Sequence, residues 1–293
     1  MKKLQQLILL SVVVAGASRH LLAASAVDQL ARATSSYNST NYQEALQLLA
    51  SVHDTSAAAG LLAGKSNYML GDYRKAVDAF HQAAAADPKN SEYYHWLGRA
   101  YGRKAETGNP LTAPGNASKA RQNFEKAVQL DPKNSEALND LFDYYLQAPG
   151  FLGGGLDKAH ALLPQIKAID SAEFFFAQAQ IAEKRKEFAT AEQQLRRAAE
   201  LAPRQVGRVI DLAKFLLRQG RVPEGDALLN QAAKIAPNDP KVLFAQASVY
   251  VQSKRNLTEA RMLLKTYMNA QLTPDMPSRA DAQKLLKQAE GGD

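Results

Sequence analysis

One hexapeptide, Asp-Pro-Lys-Asn-Ser-Glu, occurs twice in this chain, at 87–92 and at 131–136. Before each copy stand an alanine, a phenylalanine and a second alanine, spaced four and then three residues apart. These positions are Ala76, Phe80 and Ala83 before Pro88, and Ala120, Phe124 and Ala127 before Pro132. Residues at this spacing share one face of a helix, and a proline ends a helix because it has no N–H group to donate. The chain is therefore expected to contain a repeated helical unit.

The same frame, with twelve residues from its first small residue to its proline, occurs twice more along the chain. The further copies are Ala191, Leu195, Ala198 and Pro203, and then Gly225, Leu229, Ala232 and Pro237. Weaker copies begin at Ala45, Ala159 and Ala260. Each frame predicts the second helix of a pair, with its apolar face packed inward and its end fixed by the proline.

The helix expected before the Ala120 frame has the pattern Tyr94-x-x-Leu97-Gly98-x-x-Tyr101. This pattern, followed by the frame, resembles the tetratricopeptide repeat, a helix-turn-helix unit of about 34 residues. The resemblance implies an all-α protein, an α-solenoid of about seven such repeats in a right-handed superhelix with a C-terminal capping helix. The predicted units are 26–56, 57–90, 91–134, 135–171, 172–205, 206–239 and 240–271.

The solenoid is expected to span residues 26–271, with departures from the pattern in the first, fourth and seventh units. Ser171 stands where a proline is expected, and Tyr267 stands where a small residue is usual. Terminal repeats are atypical because one side of each faces solvent. After the prolines at 274 and 277, an apolar face predicts the capping helix within 272–293.

Residues 1–24 have the layout of a secretory signal peptide. Lysines at 2 and 3 precede an apolar run from 7 to 17, and small residues offer cleavage sites near 17–26. The alternative is a membrane anchor, but a span needs about 20 apolar residues, and Arg19 and His20 interrupt this run earlier. We therefore expect an exported bacterial protein, periplasmic or secreted, without a stable membrane span after cleavage.

The composition narrows the functional classes. The formal net charge is +7, and it falls to +4 without Lys2, Lys3 and Arg19. Acidic residues are interspersed with the basic ones, so nucleic acid is not expected as a partner. The chain contains no cysteine, which excludes disulfides, thiolate catalysis and Cys-ligated zinc. No histidine pair has metal-binding spacing and no serine has a nucleophile-elbow setting, so we expect no catalytic residues, no cofactor, no metal site and no enzyme.

The resemblance implies that the first helix of each repeat lines a concave groove, which would bind a protein or peptide. Helical spacing selects the groove residues that packing does not require. The candidates are Lys65, Tyr68, Met69, Glu92, His95, Arg99, Arg103, Asn139, Asp143, Glu173, Gln180, Lys184, Lys214 and Arg218. This lining is expected to be mixed and mildly basic. The sequence thus predicts a scaffold or adaptor, with any single candidate equally open to being a solvated surface residue.

Two consecutive repeats carry extra residues between their helices, at 107–116 and 148–155. Equivalent turns of adjacent repeats lie along one edge, so the two are expected to be neighbours. One reading is a ligand-handling edge of an uptake or envelope complex, with Phe151, Gly153, Gly154 and Gly155 as candidates. The other is a structural turn whose glycines supply positive φ angles and whose Phe151 and Leu152 pack on the edge of the solenoid. The P-loop spacing is absent, which argues against phosphate.

Export is tested by N-terminal sequencing of the protein made in its own host. The mature chain should begin between Ser18 and Val27, because signal peptidase cleaves after the small residues there. Soluble cytoplasmic protein that retains Met1 would contradict this expectation.

Overall fold

A computed structural model describes residues 27–50, 56–273 and 276–291. These residues form helices, turns and short connections. Residues 27–38 are helical (α1). The helices that follow are α2 (Tyr42–Ala50), α3 (Ala57–Met69), α4 (Tyr73–Ala86), α5 (Ser91–Thr107), α6 (Ala113–Leu130), α7 (Ser135–Gln147), α8 (Leu156–Ile169), α9 (Ser171–Lys184), α10 (Phe188–Leu201), α11 (Val206–Arg218), α12 (Val222–Ile235), α13 (Pro240–Gln252), α14 (Leu257–Asn269) and α15 (Arg279–Glu290). They make seven consecutive pairs and a final helix, which confirms the predicted fold class.

The repeated hexapeptide is a helix stop followed by a helix start. Helix α4 ends two residues before Pro88, and α6 ends two residues before the equivalent proline. The Asp87 carboxylate accepts the backbone N–H of Lys89, and Asn90 then caps α5 by accepting the N–H of Glu92 at 2.9 Å. In the fourth unit, where Ser171 replaces the proline, Asp170 accepts two N–H groups of α9 and performs both tasks.

The predicted small-apolar-small frames all face the interior. Ala76, Phe80 and Ala83 are fully buried, as are the corresponding residues of the later frames. The first helix of each pair contacts the first helix of the next repeat at α3–α5, α5–α7, α7–α9 and α11–α13. Among the described helices, the second helices have no such mutual packing and instead contact the first helices. The first helices therefore form the inner, concave row and the second helices the outer one.

The extra residues at 107–116 mostly lengthen helices, which corrects the expectation of a long loop. Helix α5 continues to Thr107 and α6 begins at Ala113, so only 108–112 connect them. Pro114 lies in the first turn of α6, where a missing N–H costs nothing. The residues at 148–155 do form a turn, which contains a short 3₁₀ helix at Gly150–Leu152 and packs against α6.

The seventh repeat and the capping helix form a continuous apolar cluster. Tyr267, at the position where a small residue is usual, is fully buried and contacts Phe244. Its hydroxyl donates to the carbonyl of Pro277, which joins the last repeat to the segment leading into α15. Met69 of the second repeat packs against this same cluster. The two ends of the solenoid therefore approach each other.

The predicted signal peptide at 1–24 lies outside the described residues. Within the described ranges, no helix is both long enough and apolar enough to cross a membrane.

Two glycines of α5, one helical turn apart, test the packing. Gly98→Ala should destabilise the fold by about 1–3 kcal/mol, because its methyl group would lie 2.4 Å from the Phe124 ring. Gly102→Ala meets no heavy atom within 4 Å and should stabilise by about 0.5–1 kcal/mol through lower backbone entropy in the unfolded chain. Urea unfolding followed by circular dichroism measures both variants. A Gly98→Ala protein as stable as the wild type would contradict the packing.

Candidate functional site

The concave row of first helices carries the candidate site. At its N-terminal end, the Trp96 ring stacks on Phe80 at 5.7 Å between centroids and meets the edge of Tyr68 at 5.5 Å. The Lys65 ammonium and the Arg99 guanidinium each lie 5.1 Å from the Trp96 ring centroid. Cations over an indole face are held by the ring quadrupole. We call these residues, without Phe80, the cation–aromatic patch.

The cations of this patch also have carboxylate partners. Lys65 pairs with Glu92 at 2.5 Å, and Arg99 lies 3.6 Å from Asp140. Arg103, one turn beyond Arg99, pairs with Glu106 at 2.6 Å, and its Nε–H donates to the Tyr73 hydroxyl. The predicted basic residues are therefore in place, but much of their charge is neutralised locally.

The sequence predicts that His95 contacts a partner in the groove, but the structure buries its side chain. Its side chain is 2% exposed and lies between α5 and α7, where Nε2 is 2.8 Å from Asp140 Oδ2. The ring also packs near Phe124. The imidazole is enclosed, so it does not form part of the accessible surface. Its role is to hold the Asp140 carboxylate in place from the buried side.

Four carboxylates converge at the middle of the groove from three helices: Asp140 and Asp143 of α7, Glu173 of α9 and Asp211 of α11. Arg208 donates to Glu173 and, at 3.1 Å, to Asp211. We call these four acidic residues the central carboxylates. The middle of the groove is thus acidic, within a lining that the sequence predicts to be mixed and mildly basic as a whole.

Asp143 is open to the groove, yet it lies among the other central carboxylates. Desolvation, followed by the charges of Asp140, Glu173 and Asp211, raises the pKa of Asp143 to about 7. Burial also raises the pKa of Glu173 and of Asp211, and Arg208 opposes both shifts. The negative charge of the groove therefore increases as the pH passes through neutrality.

The C-terminal part of the groove combines charge with an open cavity. Arg218 makes two hydrogen bonds to the Glu183 carboxylate at 2.8 and 2.9 Å, and Lys184 donates to Gln147 at 3.3 Å. A cavity of about 390 Å³ lies between α7, α9 and α11, and Gln180, Lys214 and Phe176 also line it. Within the described part of the chain, the buried Gln180 Oε1 has no hydrogen-bond partner.

Asn139 and Lys214, the remaining groove candidates, are half-buried on α7 and α11. Sequence reasoning missed Asp140, Asp211 and Arg208. Asp140 and Asp211 occupy the same register position in the fourth and sixth units, and this equivalence is the signal that could have identified them.

Backbone geometry explains the glycines of the 148–155 turn. Gly153 has φ +86° and Gly155 has φ +152°, and a Cβ on Gly154 would lie 1.9 Å from the Ala148 carbonyl oxygen. The N–H groups of all three donate to backbone carbonyls, so they are not directed outward as a phosphate site requires. Phe151 is 84% exposed, which corrects the expectation that it packs on the solenoid.

A second cavity, of about 460 Å³, lies beside this turn. Its walls come from α5, α6, α7 and the turn itself, including Gly102, Phe124, Tyr144 and Leu152. The Tyr144 hydroxyl donates to the Leu152 carbonyl at 2.9 Å and fixes the turn as one wall. In the described residues, no three His, Asp or Glu side chains are placed to hold a metal ion.

The raised pKa of Asp143 predicts a pH-dependent stability. The folded protein binds this proton more tightly than the unfolded chain, whose Asp titrates near 3.9, so the stabilisation is complete below that value and is lost as the pH rises towards 7. Asp143→Asn removes the effect. Its melting temperature relative to the wild type should therefore rise between about pH 4.5 and about pH 8.

The control is Asp157→Asn, an exposed residue of α8 outside the central carboxylates. Equal pH responses of the Asp143 and Asp157 variants would contradict the assignment.

Two segments of the chain match models of the tetratricopeptide repeat, residues 64–90 and residues 182–249. They include parts of the groove helices α3, α11 and α13. No curated protein gives a significant match to the sequence.

Solved structures show the same architecture. A tetratricopeptide-repeat protein from Parabacteroides merdae aligns with a TM-score of 0.59 at 13% identity, covering 91% of this chain and 99% of that one. A thermophilic tetratricopeptide-repeat protein from Thermus thermophilus aligns with a TM-score of 0.52 at 22% identity, covering 66% of this chain and 99% of that one. A chain of the APC/C hetero-tetramer Cut9–Hcn1 aligns with a TM-score of 0.51 at 17% identity, covering 88% of this chain and 48% of that one. The two matched segments are tetratricopeptide repeats, and these likenesses show that the seven helix pairs have the tetratricopeptide-repeat fold.

Proposed function

We propose that this protein is an exported, non-enzymatic adaptor that holds a protein partner in its concave groove, as an extended peptide or a helix. The observation that carries the proposal is the exposed, charged inner surface of α7, α9 and α11, which is continuous and bordered by two cavities. Helices at this spacing offer a long preformed surface, so a partner can bind with little rearrangement of the scaffold.

The groove supplies both charge and space. Its cavities of about 390 and 460 Å³ are large enough for partner side chains. Asp143 and Lys184 are exposed on neighbouring helices and offer polar groups to a partner. A partner peptide can therefore satisfy polar groups along its backbone while its side chains enter the two cavities.

The proposal of export rests on the Lys-led apolar N-terminus of the sequence. An extracytoplasmic adaptor would act in an envelope or secreted complex. The absence of cysteine is compatible with that compartment, since an exported protein without thiols needs no oxidative folding.

A second candidate surface is the edge formed by the two insertions. Leu111 and Phe151, at the tips of the two inserted turns, are 90% and 84% exposed. Both turns are held by hydrogen bonds: the Leu111 N–H donates to Asn109 Oδ1 at 2.9 Å, and the Tyr144 hydroxyl donates to the Leu152 carbonyl. A ligand-handling edge would use these apolar side chains together with the cavity beside Leu152.

The groove is tested by a paired charge reversal. Asp143→Lys with Lys184→Glu keeps the net charge and changes two exposed groove residues. Recovery of co-purifying partners from an envelope extract should fall at least tenfold, because opposite charges across an interface become like charges. The matched control is Lys126→Glu with Asp157→Lys on the exposed outer helices α6 and α8.

Circular dichroism should show unchanged helicity for both double variants. Equal recovery with the groove variant and the control would refute groove binding. Loss of recovery with Leu111→Ser and Phe151→Ser, while the groove variant binds normally, would assign the function to the edge.

A further inference from the structure

The C-terminal segment contacts the first repeat directly, although more than two hundred residues separate them in sequence. The Tyr42 hydroxyl donates to the Leu272 carbonyl at 3.5 Å, and the Gln271 amide donates to the Asn38 carbonyl. Tyr42 and Leu272 are both buried, with 4% and 5% exposure. The solenoid is therefore closed into a ring by a contact between its two ends.

The same segment also reaches the N-terminal end of the groove. A cavity of about 420 Å³ has Tyr68, Met69 and Arg103 on one side and residues 276–278 with Asp281 on the other. Arg103 lies 3.8 Å from the Asp281 carboxylate. Three side chains that helical spacing assigns to the groove thus face the chain's own C-terminal segment.

The C-terminal side of this contact is held in shape by its own repeat. The Arg279 guanidinium donates to the carbonyls of Met268 and Ala270 at 2.8 and 2.9 Å, and it reaches the first repeat at the Thr40 hydroxyl, 3.4 Å away, and at the Tyr42 hydroxyl. The Ser278 and Asp281 side chains form a capping box at the start of α15. The segment can therefore separate from the first repeat without losing its own structure.

The contact itself is weak compared with the packing between adjacent repeats. Apart from the Gln271–Asn38 hydrogen bond, its polar contacts, to Thr40, Leu272 and Asp281, lie between 3.4 and 3.8 Å, at the limit of useful hydrogen bonding or as a partly exposed ion pair. Adjacent repeats share whole buried apolar clusters, whereas the apolar part of this contact consists of side chains such as Tyr42, Leu272 and Met69. An interface of this kind opens and closes at much lower cost than the repeats unfold.

We propose that the N-terminal end of the groove is a docking surface for the chain's own residues 270–273 and 276–281. These residues form a releasable clasp that closes the ring and competes with a partner for the Tyr68 and Arg103 surface. The competition rests on the proposed groove function, whereas the closure of the ring does not.

The absence of cysteine from the chain makes a direct test possible. In an Asn38→Cys, Gln271→Cys protein, a pair of spin labels should give one short, narrow distance by pulsed electron resonance. A short thiol-specific crosslinker, reversible by reductant, should join most of the protein within one chain. The control pair, Asp157→Cys with Gln271→Cys, places its first label in the fourth repeat and should give a long distance and no crosslink.

A broad, long distance for the first pair, or crosslinked dimers instead of monomers, would overturn the clasp. Dimers would mean that the segment docks on a second copy of the chain. The second measurement compares partner recovery by the crosslinked and the reduced protein. Crosslinking should lower recovery several-fold, and reduction of the same sample should restore it.

Equal recovery in both states, while the groove charge reversal still abolishes it, would refute competition and leave a purely structural closure. No groove-dependent recovery in either state would refute the proposed function and the competition together. The distance measurement would still decide whether the ring closes.

Discussion

The aromatic ring that lies over a glycine between paired helices is the contact on which this solenoid depends. A Cβ on Gly64 would lie 2.3 Å from Phe80, and one on Gly98 would lie 2.4 Å from Phe124. Because glycine has no side chain, the ring can occupy the space where a Cβ would lie, and the two helices approach closely. First helices of successive repeats also pack on one another, at α3–α5, α5–α7, α7–α9 and α11–α13, so this close approach contributes to the curvature of the inner row. The groove follows from the way the pairs stack.

Charge in the groove is organised by pairing. Most cations at its N-terminal end lie against a carboxylate or a ring, as Lys65 does against Glu92 and Trp96. In the centre, Arg208 donates to Glu173 and Asp211, whereas Asp140 lies against Arg99 and His95. Desolvation first, and the neighbouring carboxylates second, raise the pKa of Asp143. A formal net charge calculated from the sequence does not show this separation, since it sums groups that neutralise one another in space.

The ends of a solenoid are its exposed apolar surfaces, and this chain covers them in two ways. Helix α15 packs on the last pair and buries Ala282, Leu286 and Ala289. The segment before α15 then contacts the first repeat, so the cap of one end is also the neighbour of the other. One segment thus both caps the last repeat and contacts the first, and in the proposed clasp this second contact limits access to the groove.

The sequence by itself determined the repeat, the register and most of the helix ends, though not the extension of α5 and α6 into 107–116. These depend on residues within a few positions of one another: the frame from Ala120 to Ala127 places one face inward, a proline stops the helix, and Asn90 begins the next one. Groove nominations such as Asp143 and Lys184 followed from the same register. Export and the binding of a protein or peptide in the groove stay predictions.

Only the tertiary structure decided which side chains meet. His95 and Asp140 are 45 residues apart, and Glu173 and Arg208 are 35 apart, so their pairing depends on how successive repeats rotate. The exposure of Phe151 and the closure between Tyr42 and Leu272 depend on it as well. Each repeat is rotated slightly relative to the one before it, and these rotations add up along the solenoid. The sequence periodicity determines which face of a helix is buried, but it does not determine the angle of rotation between repeats.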